Sequence, residues 1–187
     1  SRRGKDMKLG RITFIILGIV LSLVMGLMFW QHSGSKTVIQ NANFERDYKQ
    51  IDALFHKGDN WYWMICNAHS DTYSVEFMLK HKASNQYAPV SCNDLVTKVY
   101  REDDKVVGFC AYYPHSPYVW QFLFLLVDQE HRGKGIAKKL LQYAVDDMVS
   151  RGAIKIMVYT RIDNITAQGI YKGFGFKQVH SDEEGIW

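Results

Sequence analysis

Two short segments of this 187-residue chain hold residue types at spacings that can do chemistry. The first runs Leu125-Leu126-Val127-Asp128-Gln129-Glu130-His131-Arg132-Gly133-Lys134-Gly135-Ile136-Ala137, an apolar strand that turns sharply into a helix. Two glycines at a helix start let backbone N–H groups come close to an anion, and the helix dipole adds to the attraction. Arg132 and Lys134 place positive charge beside them, so the segment reads as a cradle for pyrophosphate. A P-loop spacing is absent, and the third glycine of a dinucleotide fingerprint would fall at Lys138. A turn that merely packs a helix tightly is the plainer alternative. The second segment is Asn164-x-x-Ala167-x-x-Ile170-Tyr171-x-x-x-Gly175-Phe176. Asn164, Ala167 and Tyr171 stand at i, i+3 and i+7, on one face of one helix. Asn164 suits the cap of that helix, Ala167 leaves room for something to pass, and Tyr171 places a phenol at the far end. A packed core tyrosine is the competing reading of Tyr171.

These residues need elements to position them. Thr37–Gln40 reads as a first strand, and Phe44–Lys57 as a helix with an apolar stripe at Phe44, Tyr48, Ile51, Leu54 and Phe55. Gly58-Asp59-Asn60 stops that helix, and Asn60–Cys66 continues it with aromatics. Asp71 caps a helix to about His81, and Tyr87–Asn93 is a loop. Leu95–Arg101 and Val106–Tyr113 form a hairpin about Glu102-Asp103-Asp104-Lys105. Pro114-His115-Ser116-Pro117 breaks the chain. Tyr118–Val127 is continuously apolar, a central strand buried on both faces. Gly133–Arg151 is a strongly amphipathic helix, Ile154–Thr160 a strand, Asn164–Lys172 a short helix and Phe174–His180 a last strand.

Charge and hydropathy divide the chain differently. The net charge is +4, and it belongs to residues 1–11, a basic tail holding Arg2, Arg3, Lys5, Lys8 and Arg11 against Asp6 alone. The remainder is balanced, which argues against nucleic acid as a partner. Ile12–Trp30 is an uncharged run long enough to form a helix of roughly 28 Å, close to bilayer thickness. Residues 12–30 therefore read as a single transmembrane anchor, or an uncleaved signal; Ser33 and Ser35 offer a cleavage site for the secretory alternative. Residues 31–36 are a short linker to a domain spanning 37–187. The positives before the run favour an exported body, but with Met7 as the start only Lys8 and Arg11 remain and the asymmetry vanishes. Cys66, Cys92 and Cys110 have no CxxC spacing and read as reduced thiols. The seven histidines show no metal-ligand spacing, and no metal is expected.

Taken together, the two segments resemble the GNAT superfamily of acyl-CoA-dependent N-acyltransferases. The family's (Gln/Arg)-x-x-Gly-x-(Gly/Ala) pattern is met by Arg132, Gly135 and Ala137; its later signature is met by Asn164, Ala167, Ile170, Tyr171, Gly175 and Phe176. The resemblance implies an α/β fold, a mixed, mostly antiparallel central sheet flanked by helices, here preceded by a single transmembrane helix. It implies acetyl-CoA as co-substrate, its pyrophosphate held by Arg132, Gly133, Lys134, Gly135, Ile136 and Ala137. Leu125, Leu126 and Val127 would bond the pantetheine arm, Asn164 and Ala167 would lie against the cofactor, and Tyr171 would protonate the departing thiolate. The implied activity is transfer of an acetyl group to a primary amine by direct attack, at a membrane surface and on its cytosolic side, where acetyl-CoA is expected. An inactive CoA-binding sensor or scaffold is the alternative. Two departures support the alternative: the long apolar strand offers only Gln121 where many relatives carry a carboxylate base, and the family's full last strand is short here. Glu102, Asp128, His115 or a water relay are the substitutes for that base. Trp61, Tyr62, Trp63, Tyr112, Tyr113, Tyr118 and Trp120 are either core or the lining of an apolar acceptor site.

Overall fold

A computed structural model describes residues 36–64, 75–80, 95–181 and 185–186, all but Lys36 within one compact unit, Thr37–Trp187. The basic tail, the apolar run 12–30, the Asp71 cap, the loop Tyr87–Asn93, Cys66 and Cys92 lie outside the described residues. Among the described residues no helix is long and apolar enough to cross a membrane.

Five strands form one sheet in chain order: β1 (Thr37–Asn41), β2 (Val96–Glu102), β3 (Lys105–Ser116), β4 (Val119–Val127) and β5 (Lys155–Val158). The first three pairings are antiparallel and β4 with β5 is parallel, so the expected mixed, mostly antiparallel sheet is present. The β2–β3 turn is tight, Glu102 facing Lys105, with Asp103 at φ 53°, a left-handed conformation that aspartate tolerates better than most residues. Contrary to the expected break at Pro114, β3 continues to Ser116. The β2 register ends opposite Tyr112 while β3 goes on pairing with β4. Pro114 therefore has a strand on one side only, where its missing N–H costs no ladder bond.

Helices cover both faces. α1 (Phe44–Phe55), α2 (Asn60–Met64) and α3 (Val75–Lys80) lie on one; α4 (Ile136–Ser150) and α5 (Ile165–Phe174) lie on the other. Alternation along β3 feeds both cores: Phe109, Ala111 and Tyr113 pack with Ile51, Leu54 and Phe55 of α1, while Cys110 and Tyr112 pack with Leu140, Leu141 and Ala144 of α4. Burial pushes the Cys110 thiol up to about 12, so it stays protonated at neutral pH and is no nucleophile.

The alternation slips on β4. Ala111 faces Phe124 and Tyr112 faces Phe122, leaving Leu123 as an extra residue. Trp120 and Phe122 thus join the α4 core, whereas Phe124 and Leu126 join the α1 core. A bulge of this kind bends its strand.

The last strand differs from expectation. Phe174 ends α5, residues 175–180 form no strand, and a two-residue strand β7 (Gly185–Ile186) pairs with β6 (Thr160–Arg161). The cause is the helix end. Gly175 takes φ 110°, and the Phe176 N–H returns to the Tyr171 carbonyl at 3.0 Å, a left-handed C-terminal cap. Phe176 then packs on the Tyr171 ring at 5.8 Å instead of extending.

Candidate active site

The bulge opens the site. Pairing between β4 and β5 stops at Phe122 with Val158, whereas β4 stays on β3 as far as Val127. From Leu123 onward β4 has no pairing strand on this side among the described residues, and Leu123–Val127 line a cavity of about 710 Å³.

At the end of β4 the chain makes a 3₁₀ turn over Gln129–His131, then Gly133 and Gly135 adopt φ 78° and 77° before α4 begins at Ile136. Only glycine holds that conformation without penalty. Gly135 caps α4 with no side-chain hydrogen bond, and the first N–H groups of a helix have no acceptor within it. The cradle is therefore built of backbone donors. The Arg132 side chain is directed elsewhere: its Nε donates to the Val127 carbonyl at 3.1 Å and its Nη2 to Asn60 Oδ1 at 3.2 Å. It braces the cradle against α2, a role its place in the sequence did not suggest.

The opposite wall is α5. Asn164 Oδ1 accepts the Ala167 N–H at 3.1 Å, so the residue does cap its helix. Asn164, Ala167 and Tyr171 all line the cavity, as do Leu125, Leu126, Val127, Arg132, Gly133, Gly135, Ile136 and Ala137. Lys134 is not among the lining residues. Tyr171 is 9% exposed, edge-on to Phe122 at 6.4 Å, so it is both a core ring and a cavity-facing residue.

The substitutes for a base fare poorly. Asp128 is buried, with Lys57 Nζ at 2.8 Å and His131 Nδ1 at 3.1 Å. Burial alone would push its carboxyl up, but the bonds from Lys57 and His131 outweigh this and hold it below the usual range. Glu102 lies 3.6 Å from the far nitrogen of His131, and His115 is at the exposed end of β3. Gln121 is buried, its amide on the Phe122 carbonyl at 3.3 Å. Of the aromatics, Tyr112, Tyr113 and Trp120 are core, Trp63 lines the cavity, and Trp61 and Tyr118 are exposed. Among the described residues the sole carboxylate lining the cavity is Asp163, which with Lys57, Asn60 and His131 escaped the sequence reading. No group of three or more potential metal ligands occurs among the described residues.

A bulged strand opening beside a helix start made of backbone donors is a fold-level arrangement, and comparison with known proteins places it. The acetyltransferase (GNAT) family pattern matches residues 59–176, more than half of the chain. The chain belongs to the GNAT acetyltransferase family. Over 52 residues it is 44% identical to N-alpha-acetyltransferase 30 of Schizosaccharomyces pombe, covering 28% of this chain and 35% of that protein. Over 94 residues it is 31% identical to human N-acetyltransferase 8B, covering 48% and 41%. The chain thus spans about a third to two fifths of the length of these curated relatives. Its fold is also that of the PaiA N-acetyltransferase from Thermoplasma acidophilum solved with coenzyme A, at TM-score 0.61 and 19% identity over 81% of this chain and 96% of that one. Acetyl-CoA is the acetyl donor of GNAT acetyltransferases. The residues of this GNAT domain fit such a molecule: the glycine turn offers N–H groups to a pyrophosphate, and residues 123–127 of β4 line the cavity where an extended arm would lie.

Proposed function

We propose that this domain transfers an acetyl group from acetyl-CoA to a primary amine by direct attack. The observation that carries the reading is the opening of β4 from β5 at Leu123, which joins the cradle, the Asn164 helix and Tyr171 in one cavity. Acetyl-CoA supplies the activated thioester. The backbone of residues 133–137 holds its phosphates, Leu125 and Val127 align the arm, and the Tyr171 phenol delivers a proton as the thiolate leaves. A phenol near pKa 10 can donate to a thiolate whose conjugate thiol sits near 8.5 once the helix has positioned it. Names of relatives such as N-alpha-acetyltransferase 30 make α-amines the first acceptors to test. The apolar run Ile12–Trp30 supports a single-pass anchor, and the need for acetyl-CoA supports a domain facing the cytosol.

Calorimetric titration of acetyl-CoA into the protein tests the cradle. Gly135→Ala forces a Cβ into a left-handed conformation, a strain of about 1–2 kcal/mol, and should weaken binding about tenfold. Unchanged affinity would remove the glycine turn from the binding site. Thiol release against an amine panel then tests turnover. Binding without release would favour the sensor reading, which the lack of a carboxylate on β4 supports.

That lack sets the pH dependence. A lysine-like amine of pKa about 10.4 is neutral in about one part in 2,500 at pH 7. Without a base on β4, kcat/KM should rise about tenfold per pH unit towards the acceptor's own pKa. A plateau near neutrality with a lysine-like acceptor, well below its own pKa, would show that a protein group takes the proton; with an α-amine of pKa about 8 such a plateau is the acceptor's own.

A further inference from the structure

The short helix α2 crosses one wall of the cavity and is fastened at two places of unlike character. Towards the cradle the fastening is buried: Asn60 is 6% exposed, accepts from Arg132 and donates to the Leu54 carbonyl at 2.8 Å. Beside it Lys57 holds Asp128 at 2.8 Å. Towards α5 the fastening is half-buried, with only Asp163 exposed. The Tyr62 hydroxyl donates to Asp163 Oδ2 at 3.0 Å and accepts from Arg161 Nη2 at 2.5 Å. The Arg161 guanidinium also lies over the Tyr62 ring, 4.0 Å from its centre, and its Nε reaches Asp163 Oδ1 at 3.2 Å. Asp163 immediately precedes the Asn164 cap and itself lines the cavity, as do Asn60, Trp63 and Met64 of α2. The Tyr62 cluster therefore joins the two walls, while β4 from Leu123 to Val127 forms the floor between them.

An arm lying along β4 would occupy the cavity whose two walls, α2 and the residues before α5, this link ties together. We propose that Tyr62, Arg161 and Asp163 form a releasable clasp that closes α2 over the coenzyme A arm and sets how long it stays bound. These are positioning residues, and the inference rests on the acetyl-CoA reading of the cavity. The less buried end is the one to release, because bonds with solvent access on one side are individually weaker, whereas breaking the fully buried one strands a polar group. The Tyr62 hydroxyl is the shared member. It needs its proton for Asp163 and its lone pair for Arg161, so replacing it by hydrogen removes both bonds and keeps the ring under the guanidinium.

The test is the dissociation rate of coenzyme A from the full chain, read by stopped-flow tryptophan fluorescence during displacement by excess acetyl-CoA, with melting temperatures in parallel. Tyr62→Phe should raise the dissociation rate about fivefold with little change in melting temperature. Asp163→Asn should act in the same direction, and the double variant should exceed the larger single effect by less than additivity requires. A dissociation rate for Tyr62→Phe within about twofold of the parent would overturn the clasp whether or not stability falls; strictly additive effects would overturn it too. Failure of the parent protein to bind coenzyme A would instead remove the reading of the cavity, and the clasp with it.

Discussion

Replacing Tyr171 by phenylalanine is expected to lower kcat for acetyl transfer by about 10²–10⁴-fold, the usual contribution of a positioned proton donor. Affinity for acetyl-CoA should change little. The substitution removes one oxygen and keeps the ring that packs against Phe122 at 6.4 Å and Phe176 at 5.8 Å. Those contacts hold the C-terminal end of α5 against the sheet, so the variant should fold normally. Thiol release under saturating acceptor gives kcat, and calorimetry on the same sample gives binding. A thiolate leaving without a proton would depart as the stronger anion, and the loss should be smaller for donors whose thiol is more acidic. Full retention of kcat would leave Tyr171 as a core tyrosine and move the proton delivery elsewhere.

The contrast between residues that were legible in the sequence and those that were not is physical. The glycine turn and the Asn164–Tyr171 face are local: their geometry is set by backbone freedom at 133 and 135 and by helical spacing within eight residues. They could be read without knowing the fold, and the cavity includes all of them but Lys134. Lys57, Asn60 and Tyr62 carried no such signal. Their partners Asp128, Arg132 and Asp163 stand 71, 72 and 101 residues further along the chain. Only the packing of α2 across the end of the sheet brings them together. Arg132 shows the same limit from the other side, since its type was visible but the direction of its side chain was not.

The decisive bulge at Leu123 was hidden for a different reason. Val119–Val127 is apolar on both faces apart from Gln121, so an added residue shifts the alternation with almost no change in the pattern of residue types. Pro114 misled because a proline is excluded from a strand only where its nitrogen faces a neighbour, and β2 does not reach that far. The segment after Gly175 misled because Phe176 is claimed by the helix cap and the Tyr171 ring.

Removing the carboxylate of Asp47 should destabilise the domain by about 3–5 kcal/mol, the usual effect of breaking a buried ion pair from one side. Asp47 is fully buried on α1 and ties three things together. It accepts the Asn43 N–H at 2.9 Å, completing the cap of the helix, and it accepts Arg46 Nε at 2.7 Å. It also pairs with Arg101 of β2, itself 4% exposed, whose Nη1 reaches the Asp104 carbonyl. With Asp47→Ala the Arg101 guanidinium is left charged and buried without its counter-ion, so the melting temperature should fall by about 10 °C. If the stranded charge is the cause, adding Arg101→Met should recover much of the loss; a double variant no better than the single would place the effect in the helix cap instead. The same carboxylate sets the acid limit of the fold. Burial would raise its pKa, but the bonds from Arg46, the Asn43 N–H and Arg101 together hold it below the ordinary value. A folded pKa below the unfolded one adds stability that is full above about pH 4 and is lost as the pH falls through the folded value. Asp128, held low by Lys57 and His131, acts in the same direction. Acid titration should therefore show the parent losing stability more steeply below about pH 4 than Asp47→Ala, and parallel curves would exclude Asp47 as a source of that slope.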